Sequence, residues 1–244
     1  MKLRADQLLV ARGLAPTRAR AQALVLAGKV YVGETRIDKA GALLAEDAAI
    51  ALRAEDHPYV SRGGVKLEGA LDAFGVDPRD RRCLDLGAST GGFTDCLLQR
   101  GAARVVAVDV GYGQLAHKLR VNPRVLVLER TNAKTLEPEH IGGGVDLVVV
   151  DASFIGLGKL MPAIVRCLAP GGELVALVKP QFEVGREEAA RSKGVIRDPD
   201  VRARAIASAA DDVTTAGLEI LGHCDSKIAG PKGNVEAFVH ARRP

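Results

Sequence analysis

The chain of 244 residues contains no tryptophan, three tyrosines and five phenylalanines. Hydrophobic residues still make up 47% of it, so a core must be built mainly from valine, leucine, isoleucine and alanine. No uncharged apolar run reaches the roughly 18 residues that a membrane helix needs. The first residues also lack the apolar centre of a signal peptide. These absences disfavour a membrane-spanning or secreted protein, and we expect a cytoplasmic one.

The four cysteines are scattered and form no C-x-x-C pair; they are Cys83, Cys96, Cys167 and Cys224. This spacing favours neither a zinc site nor a disulfide framework. We therefore expect a protein of a reducing compartment that needs no metal. The net charge of +4 and the pI near 8.9 suit an anionic partner without identifying one.

The segment from Cys83 to Asp95 has the pattern of a buried strand, a glycine-rich turn and the start of a helix. Glycines in such a turn let the backbone pass close to a ligand, and the helix start offers unpaired N–H groups to an anion. A second apolar strand ends at Asp109, where an acid can bind both hydroxyls of a ribose. Apolar strands and helical segments alternate through the rest of the chain. This pattern predicts an α/β fold with a doubly wound, mostly parallel sheet.

The glycine spacing separates two classes of nucleotide-binding protein. A dinucleotide site requires G-x-G-x-x-G after the strand, whereas this chain has D-x-G-x-x-x-G-G from Asp85 to Gly92. The latter spacing resembles the first motif of S-adenosylmethionine-dependent methyltransferases, with their Rossmann-like fold. The resemblance implies S-adenosyl-L-methionine as cofactor. The residues implied to bind it are Asp85, Gly87, Ser89, Gly91, Gly92, Phe93 and Asp109.

Four charged residues are expected to meet at one edge of the sheet. Asp151 and Lys179 follow apolar strands, and ligands of such sheets bind beyond the carboxyl ends of the strands. If the last two strands form a hairpin, Glu236 begins the final strand at the same edge, and Lys66 lies on a preceding helix. A set of this kind resembles the catalytic tetrad of FtsJ-type 2′-O-ribose methyltransferases. The resemblance implies Lys179 as the base, Asp151 as its partner, and Glu236 as the residue that positions Lys66 or the ribose.

Residues 1–39 carry eight basic side chains against three acidic ones. Arg18 and Arg20 crowd the start of a predicted helix that Thr17 caps, where cations oppose the helix dipole. Their presence favours an anionic ligand such as a phosphate, although an ordinary solvated face would also explain it. The order R-x-D-x-L-L…G-L…T-R…A…L…G-x-V-x-V-G resembles the S-four-like RNA-binding domain. The resemblance implies RNA contacts from Arg4, Arg18, Arg20 and Lys29.

These features divide the chain into an S-four-like domain at 1–53, a linker at 54–60 and a methyltransferase domain at 61–244. Nearly the whole chain is similar to the TlyA family of rRNA 2′-O-methyltransferases, which are often labelled haemolysins. The motifs that carry this similarity are S-R-G-G-x-K-L, D-L-G-A-S-T-G-G-F-T-D, V-x-D-A-S-F-I, L-V-K-P-Q-F-E and G-x-x-G-N-x-E. The similarity implies ribosomal RNA or ribosomal subunits as partners.

Three other functions remain open at this point: a membrane-active haemolysin, a non-catalytic RNA-binding protein and an NAD-dependent dehydrogenase. The missing membrane segment disfavours the haemolysin, and the four charged residues disfavour a non-catalytic protein. The glycine spacing disfavours the dehydrogenase. The charged segment from Gln181 to Pro199 is either a solvated loop or a lid over the site. The sequence identifies neither the modified nucleotide nor the ribosomal subunit that carries it.

Overall fold

The computed structural model describes residues 2–26, 28–33, 35–52, 57–153, 155–185, 188, 191–192, 194–230 and 233–244. The chain forms two compact units, Met1–Pro58 and Tyr59–Pro244. Of the linker expected at 54–60, residues 54–56 lie outside the described part of the chain, as does Arg53 at the end of the expected first domain.

The described residues of the first unit form a small α+β structure with two helices and five short strands. The elements are β1 (Lys2–Arg4), α1 (Ala5–Ala11), α2 (Arg18–Leu26), β2 (Val30–Val32), β3 (Thr35–Arg36), β4 (Leu43–Ala45) and β5 (Ile50–Leu52). Strand β2 pairs with both β3 and β5, and β1 pairs with β4, all antiparallel. The buried core of this unit includes Leu9, Ala21 and Val25.

Two local predictions for this unit are confirmed and one is wrong. Thr17 caps α2, since its Oγ1 accepts a hydrogen bond from the Arg20 N–H at 3.2 Å. The alternation at Val30 and Val32, followed by a turn at Gly33-Glu34, predicts a small hairpin. It exists as β2 and β3, although Glu34 lies outside the described residues. Leu3, Leu8 and Leu9 predict a short first helix, but Leu3 is in strand β1, because β1 pairs with β4. That pairing joins residues forty positions apart, which local periodicity does not reveal.

The second unit is built on a seven-stranded sheet. Its strands are β6 (Arg82–Leu86), β7 (Arg104–Val108), β8 (Val125–Leu128), β9 (Val145–Val150), β10 (Leu168–Val178), β11 (Glu219–Asp225) and β12 (Ala237–Arg242). Their order across the sheet is β11-β12-β10-β9-β6-β7-β8. Strands β6 to β10 are parallel, and β12 runs antiparallel between β10 and β11, as the expected hairpin requires.

Helices and 3₁₀ turns accompany this sheet. They are α3 (Gly63–Phe74), α4 (Gly92–Gln99), α5 (His117–Arg120), α6 (Met161–Cys167), α7 (Pro180–Glu183) and α8 (Pro199–Thr215), with 3₁₀ turns at Ala133–Thr135, Pro138–Ile141 and Leu157–Lys159. Helix α3 ends at Gly75, which takes φ +67°, and α8 is capped by the Asp198 carboxylate. Among the helices of the described residues, none is long and apolar enough to cross a membrane.

The sheet has a hydrophobic cluster on each face. Alternate residues of a strand point to opposite faces, and Leu84 and Leu86 of β6 belong to one cluster while Cys83 belongs to the other. Strand β9 contributes buried residues to both clusters, as its continuous apolar run predicts. The chain therefore forms the predicted α/β fold with its parallel strands covered on both sides.

Candidate active site

The carboxyl ends of four neighbouring strands form one continuous edge. The order of the strands reverses at β6, which lies between β9 and β7, and such a switch point is where α/β sheets bind ligands. Backbone hydrogen bonds join the segments beyond the strands: the Gly87 N–H donates to Val108 O at 2.9 Å, and the Asp151 N–H donates to Leu86 O at 2.9 Å. Residues that follow β6, β7, β9 and β10 therefore lie at one edge.

Asp85 is fully buried within β6. Its Oδ2 accepts a hydrogen bond from Thr94 Oγ1 at 2.6 Å, while its buried Oδ1 has no partner among the described residues. Burial raises the pKa of Asp85 to about 7, although the hydrogen bond from Thr94 acts in the opposite direction. An unsatisfied buried acceptor beside the turn is the property expected of a group that awaits a ligand's donor.

The glycines of the turn are required by contacts within the protein. At Gly87, φ is +89° and a Cβ would stand 2.6 Å from the Asp151 carbonyl oxygen. At Gly91, φ is +99° and a Cβ would stand 2.2 Å from Leu119 Cδ1. A Cβ at Gly92 would stand 2.3 Å from Ser61 Oγ. The chain thus needs these glycines whether or not their backbone also approaches a ligand.

Asp109 closes a small cavity next to the turn. Its Oδ2 accepts a hydrogen bond from the Ser89 N–H at 2.8 Å, and its Oδ1 accepts one from the Gly111 N–H at 2.7 Å. The cavity is lined by Ala88, Ser89, Ala107, Asp109, Gly111, Gln114, Leu115, Val127 and Glu129. Each Asp109 oxygen retains a lone pair, so the carboxylate can accept further donors from a ligand in this cavity.

Phe93 differs from the other residues of the predicted cofactor set. Its side chain is 3% exposed and stacks on Phe238, with ring centroids 6.1 Å apart. The ring belongs to the hydrophobic core under α4. A contact between Phe93 and a ligand would therefore come from its backbone.

The four residues of the predicted tetrad form two ion pairs. Lys179 Nζ lies 2.5 Å from Asp151 Oδ1 and donates a hydrogen bond to Ser153 Oγ at 2.9 Å. Lys66 Nζ donates to Glu236 Oε2 at 2.5 Å, and both of these side chains are buried. Lys179 follows β10 and Glu236 precedes β12, whose Ala237 is paired with Val178. The register therefore places one member of each ion pair at the same end of neighbouring strands.

Three further residues organise this edge and were not singled out from the sequence. Thr94 binds Asp85, and Ser153 binds Lys179. Asn234 is buried; its side chain accepts from the Ile196 N–H at 2.8 Å and donates to Gly194 O at 2.9 Å. All three stand inside the motifs quoted above. The signal was present, but their partners could not be deduced from spacing.

The segment that we expected to be a loop or a lid is only partly described. It contains α7, but residues 186, 187, 189, 190 and 193 lie outside the described part of the chain, as does Phe154 of the V-x-D-A-S-F-I motif. Where the segment approaches α8, the Asn234 side chain holds Gly194 and Ile196.

The residues predicted to bind RNA lie in the first unit and divide into two classes. Arg4 and Arg18 both bind the carboxylate of the buried Asp6. Arg20 and Lys29 have no ion-pair partner among the described residues. We attributed the presence of Arg18 at the start of α2 to an anionic ligand. Its ion pair with Asp6 is a second reason for an arginine at this position.

Groups of three or more His, Cys, Asp or Glu side chains that could hold a metal ion are not found among the described residues. The cysteines are all free thiols.

Comparison with known proteins identifies a family for most of the chain and a domain at its N-terminal end. Residues 59–243 match the FtsJ-like methyltransferase family, and residues 3–50 match the S4 domain. The chain is 50% identical over 242 residues to the 16S/23S rRNA (cytidine-2′-O)-methyltransferase TlyA of Mycobacterium tuberculosis (strain ATCC 25618 / H37Rv), covering 99% of this chain and 90% of that protein. It is 45% identical over 244 residues to the putative rRNA methyltransferase YqxC of Bacillus subtilis (strain 168), covering 100% of this chain and 86% of that protein.

A solved structure covers both units. The putative hemolysin from Streptococcus thermophilus is 40% identical, with a TM-score of 0.78 over 99% of this chain and 88% of that one. The matched family spans most of the chain, and the site lies within it. The chain belongs to the FtsJ-like methyltransferase family and carries an S4 domain at its N-terminal end.

Proposed function

We propose that this protein transfers a methyl group from S-adenosyl-L-methionine to a ribose 2′-hydroxyl of ribosomal RNA. The observation that carries the proposal is the presence of two lysine–acid ion pairs at the edge of the sheet that also carries the glycine-rich turn. They are Lys179–Asp151 and Lys66–Glu236. The M. tuberculosis relative is named for cytidine 2′-O-methylation of 16S and 23S rRNA. We extend that substrate class to this chain.

The residues at the turn fit the cofactor. Asp85 offers a buried carboxylate oxygen that has no partner in the described part of the chain, and Asp109 lines the adjacent cavity with free acceptor capacity. Asp109 would accept hydrogen bonds from the ribose hydroxyls, while Asp85 would face the amino-acid end of the molecule. When bound, the cofactor supplies an electrophilic methyl group on a sulfonium. Gly87, Gly91 and Gly92 shape the turn, and the backbones of Ser89 and Phe93 border it.

Lys179 would accept the proton of the 2′-hydroxyl at its Nζ. The hydroxyl oxygen would bond to the methyl carbon while the bond from that carbon to the sulfonium sulfur breaks, which would leave the sulfur as a neutral thioether. A charged ammonium cannot accept a proton, so the group must lose one to solvent before each transfer. Asp151 and Ser153 orient the amine, and Lys66 with Glu236 would hold the ribose in line with the methyl group.

The first unit would supply the RNA affinity. Arg4, Arg18, Arg20 and Lys29 would contact phosphates, and we divide the chain by function into an RNA-binding domain at 1–53, a linker at 54–60 and a catalytic domain at 61–244. An enzyme with this substrate would work in the cytoplasm, where ribosomes are assembled. The separate domains would let one unit select the RNA while the other performs the chemistry.

The experiment is a methyl-transfer assay with radiolabelled cofactor on purified small and large ribosomal subunits, tested separately. We expect label on rRNA, and mapping should find it on a ribose, where it blocks alkaline cleavage of the adjacent phosphodiester. Label on a base would contradict the proposed 2′-hydroxyl chemistry. Cofactor binding without transfer to either subunit, or to their naked 16S and 23S rRNA, would contradict the proposed substrate.

A further inference from the structure

Asp6 is a carboxylate without access to solvent in the first unit. It lies in the first turn of α1 and is 0% exposed. Its Oδ1 accepts from Arg4 Nε at 3.0 Å. Its Oδ2 accepts from Arg4 Nη2 at 3.0 Å, from Arg18 Nε at 2.9 Å and from Gln22 Nε2 at 2.9 Å. These bonds hold the pKa of Asp6 well below its usual range, with the hydrogen bond from Arg4 as the largest cause.

The two arginines are held differently. Arg4 uses two nitrogens of its guanidinium on Asp6, in the bidentate geometry that arginine forms with carboxylates. Arg18 uses only Nε, so its two terminal nitrogens remain available, and no other partner for them is found among the described residues. The Arg18 side chain is 54% exposed although its Nε is bound to a fully buried acid. It is therefore fixed at its inner nitrogen and open at its outer two.

This arrangement lowers the cost of binding an anion. A free arginine loses rotamer freedom when it binds, whereas a side chain already fixed in one geometry loses less. The planar guanidinium then presents two parallel N–H donors, which match a phosphate. Arg20, two residues further along α2, is exposed, and an ion-pair partner for it is likewise not found in the described chain. It serves as an unfixed arginine for comparison.

We propose that Asp6 is a positioning residue for RNA binding, which acts by fixing Arg18 so that its two outer nitrogens face a phosphate of the RNA. This inference rests on the proposed function, because it takes the first unit to be the RNA-binding unit. It assigns Asp6 no contact with RNA. Its effect on affinity must pass through Arg18.

A double-mutant cycle tests this coupling. The affinity of the full-length protein for purified 16S and 23S rRNA, measured separately by filter binding, is compared for wild type, Asp6→Asn, Arg18→Ala and the double variant. We expect Asp6→Asn and Arg18→Ala each to weaken binding by roughly three- to thirty-fold, which lies within the range for the loss of one hydrogen bond. The double variant should bind within two-fold of Arg18→Ala alone.

The matched control is the same cycle with Arg20→Ala, where the effects of Asp6→Asn and Arg20→Ala should multiply. A purely structural Asp6 would give multiplicative effects in both cycles, and that result would overturn the proposal. If Arg18→Ala binds RNA like wild type, the RNA contact itself is wrong, which is a separate failure of the proposed function. If no variant and no wild-type protein binds either RNA, the RNA-binding role of the unit fails.

Arg18→Lys keeps the test valid should Asp6→Asn not fold, as judged by circular dichroism and thermal melting. Lysine retains the charge but has a single nitrogen, so it cannot bind Asp6 and present two outer donors together. We expect Arg18→Lys to bind RNA nearly as weakly as Arg18→Ala, whereas Arg20→Lys should bind more tightly than Arg20→Ala, because Arg20 is not fixed by Asp6 and its charge is the part that matters. Wild-type affinity for a folded Arg18→Lys would contradict the proposal, because charge alone would then suffice.

Discussion

Lys179 is fixed on two sides, by the Asp151 carboxylate and the Ser153 hydroxyl. Its side chain is 11% exposed. A lysine in this position can serve in two ways. It can take up the hydroxyl proton, or it can stabilise the developing negative charge on the oxygen as a fixed cation. The two roles differ in what an arginine substitution would do.

Lys179→Ala should lower the methyl-transfer rate by roughly 10²–10⁴-fold if the lysine acts as the base. Lys179→Arg should fall close to the alanine variant, because arginine keeps its proton at any practical pH. The measurement is single-turnover methyl transfer to ribosomal subunits, with cofactor affinity by calorimetry as the control. An arginine variant with near wild-type activity would show that charge, and not proton transfer, is the requirement.

Asp85 gives the folded protein a pH-dependent stability with a defined sign. Its pKa in the folded chain is about 7, against an unfolded value of about 3.9. Between these values the folded state binds more protons than the unfolded state, so its contribution to stability falls as the pH rises. Burial of an ionised carboxylate with one unsatisfied oxygen is the physical cause.

Asp85→Asn should remove this dependence while preserving the shape of the side chain. We expect the variant to gain roughly 1–3 kcal/mol over wild type when the pH changes from 5 to 8 in the absence of cofactor. Chemical denaturation at both pH values measures the difference. Equal differences between variant and wild type at pH 5 and pH 8 would show that Asp85 does not titrate as described. Cofactor affinity should fall in the same variant, because the carboxylate charge is lost.

At the scale of elements, strands buried on both faces were the most predictable from sequence. The apolar run at 125–128 predicts a strand with the bounds that β8 has. The runs at 104–109 and 146–151 predict strands whose bounds lie within a residue of those of β7 and β9. Their continuous apolar runs end at charged residues, which is a local signal. Strand β4 was missed, because its three residues carry no clear alternation and pair with β1. The order of the strands across the sheet depends on packing between distant segments, and only the final hairpin could be predicted.

The same distinction applies to the site. The positions of Asp151, Lys179 and Glu236 follow from the ends of strands, so the sequence could place them at one edge. Which lysine binds which acid depends on side-chain packing across the edge, and the pairing of Lys66 with Glu236 spans 170 positions. From its place in the sequence Glu236 could hold either Lys66 or the ribose, and in the structure it is bound to Lys66.

The turn between β6 and α4 provides a test at the scale of helices and strands. Gly87→Ala would place a Cβ 2.6 Å from the Asp151 carbonyl oxygen, in addition to the strain of φ +89°. We expect a loss of unfolding free energy above the roughly 1–2 kcal/mol of backbone strain, together with reduced methyl transfer, because Asp151 must move. Denaturant unfolding and the transfer assay measure the two effects.

Gly75→Ala is the matched control for that substitution. Gly75 takes φ +67° at the end of α3, but a Cβ there would meet nothing within 4 Å. The Gly75→Ala variant should lose only the unfolding free energy that backbone strain accounts for. It should retain wild-type activity at temperatures where it is folded. If Gly87→Ala were no more destabilising than Gly75→Ala and equally active, the close packing of the turn on Asp151 would contribute neither to stability nor to activity.

At the scale of the whole molecule, the two compact units predict that RNA affinity and cofactor affinity can be altered independently. The exposed Arg20 and the half-buried Lys29 lie in Met1–Pro58, and Asp109 lies in Tyr59–Pro244. Arg20 and Lys29 suit this test better than Arg18, whose removal would also leave the buried Asp6 with fewer partners. Removing one cation that binds a phosphate should reduce the salt dependence of RNA binding by about one unit of slope.

We therefore expect the Arg20→Ala, Lys29→Ala double variant to bind rRNA more weakly, with a salt slope about two units shallower, and to bind S-adenosyl-L-methionine with unchanged affinity.

Asp109→Ala should have the opposite effect. We expect at least about a ten-fold loss of cofactor affinity, because charged hydrogen bonds contribute roughly 1.5–3 kcal/mol each, and an unchanged affinity for rRNA. Filter binding across a salt series and calorimetry with the cofactor measure both affinities for both variants. A double variant with the wild-type salt slope would assign Arg20 and Lys29 to an ordinary solvated face. A loss of both affinities in either variant, with folding intact, would mean that the two binding functions are coupled.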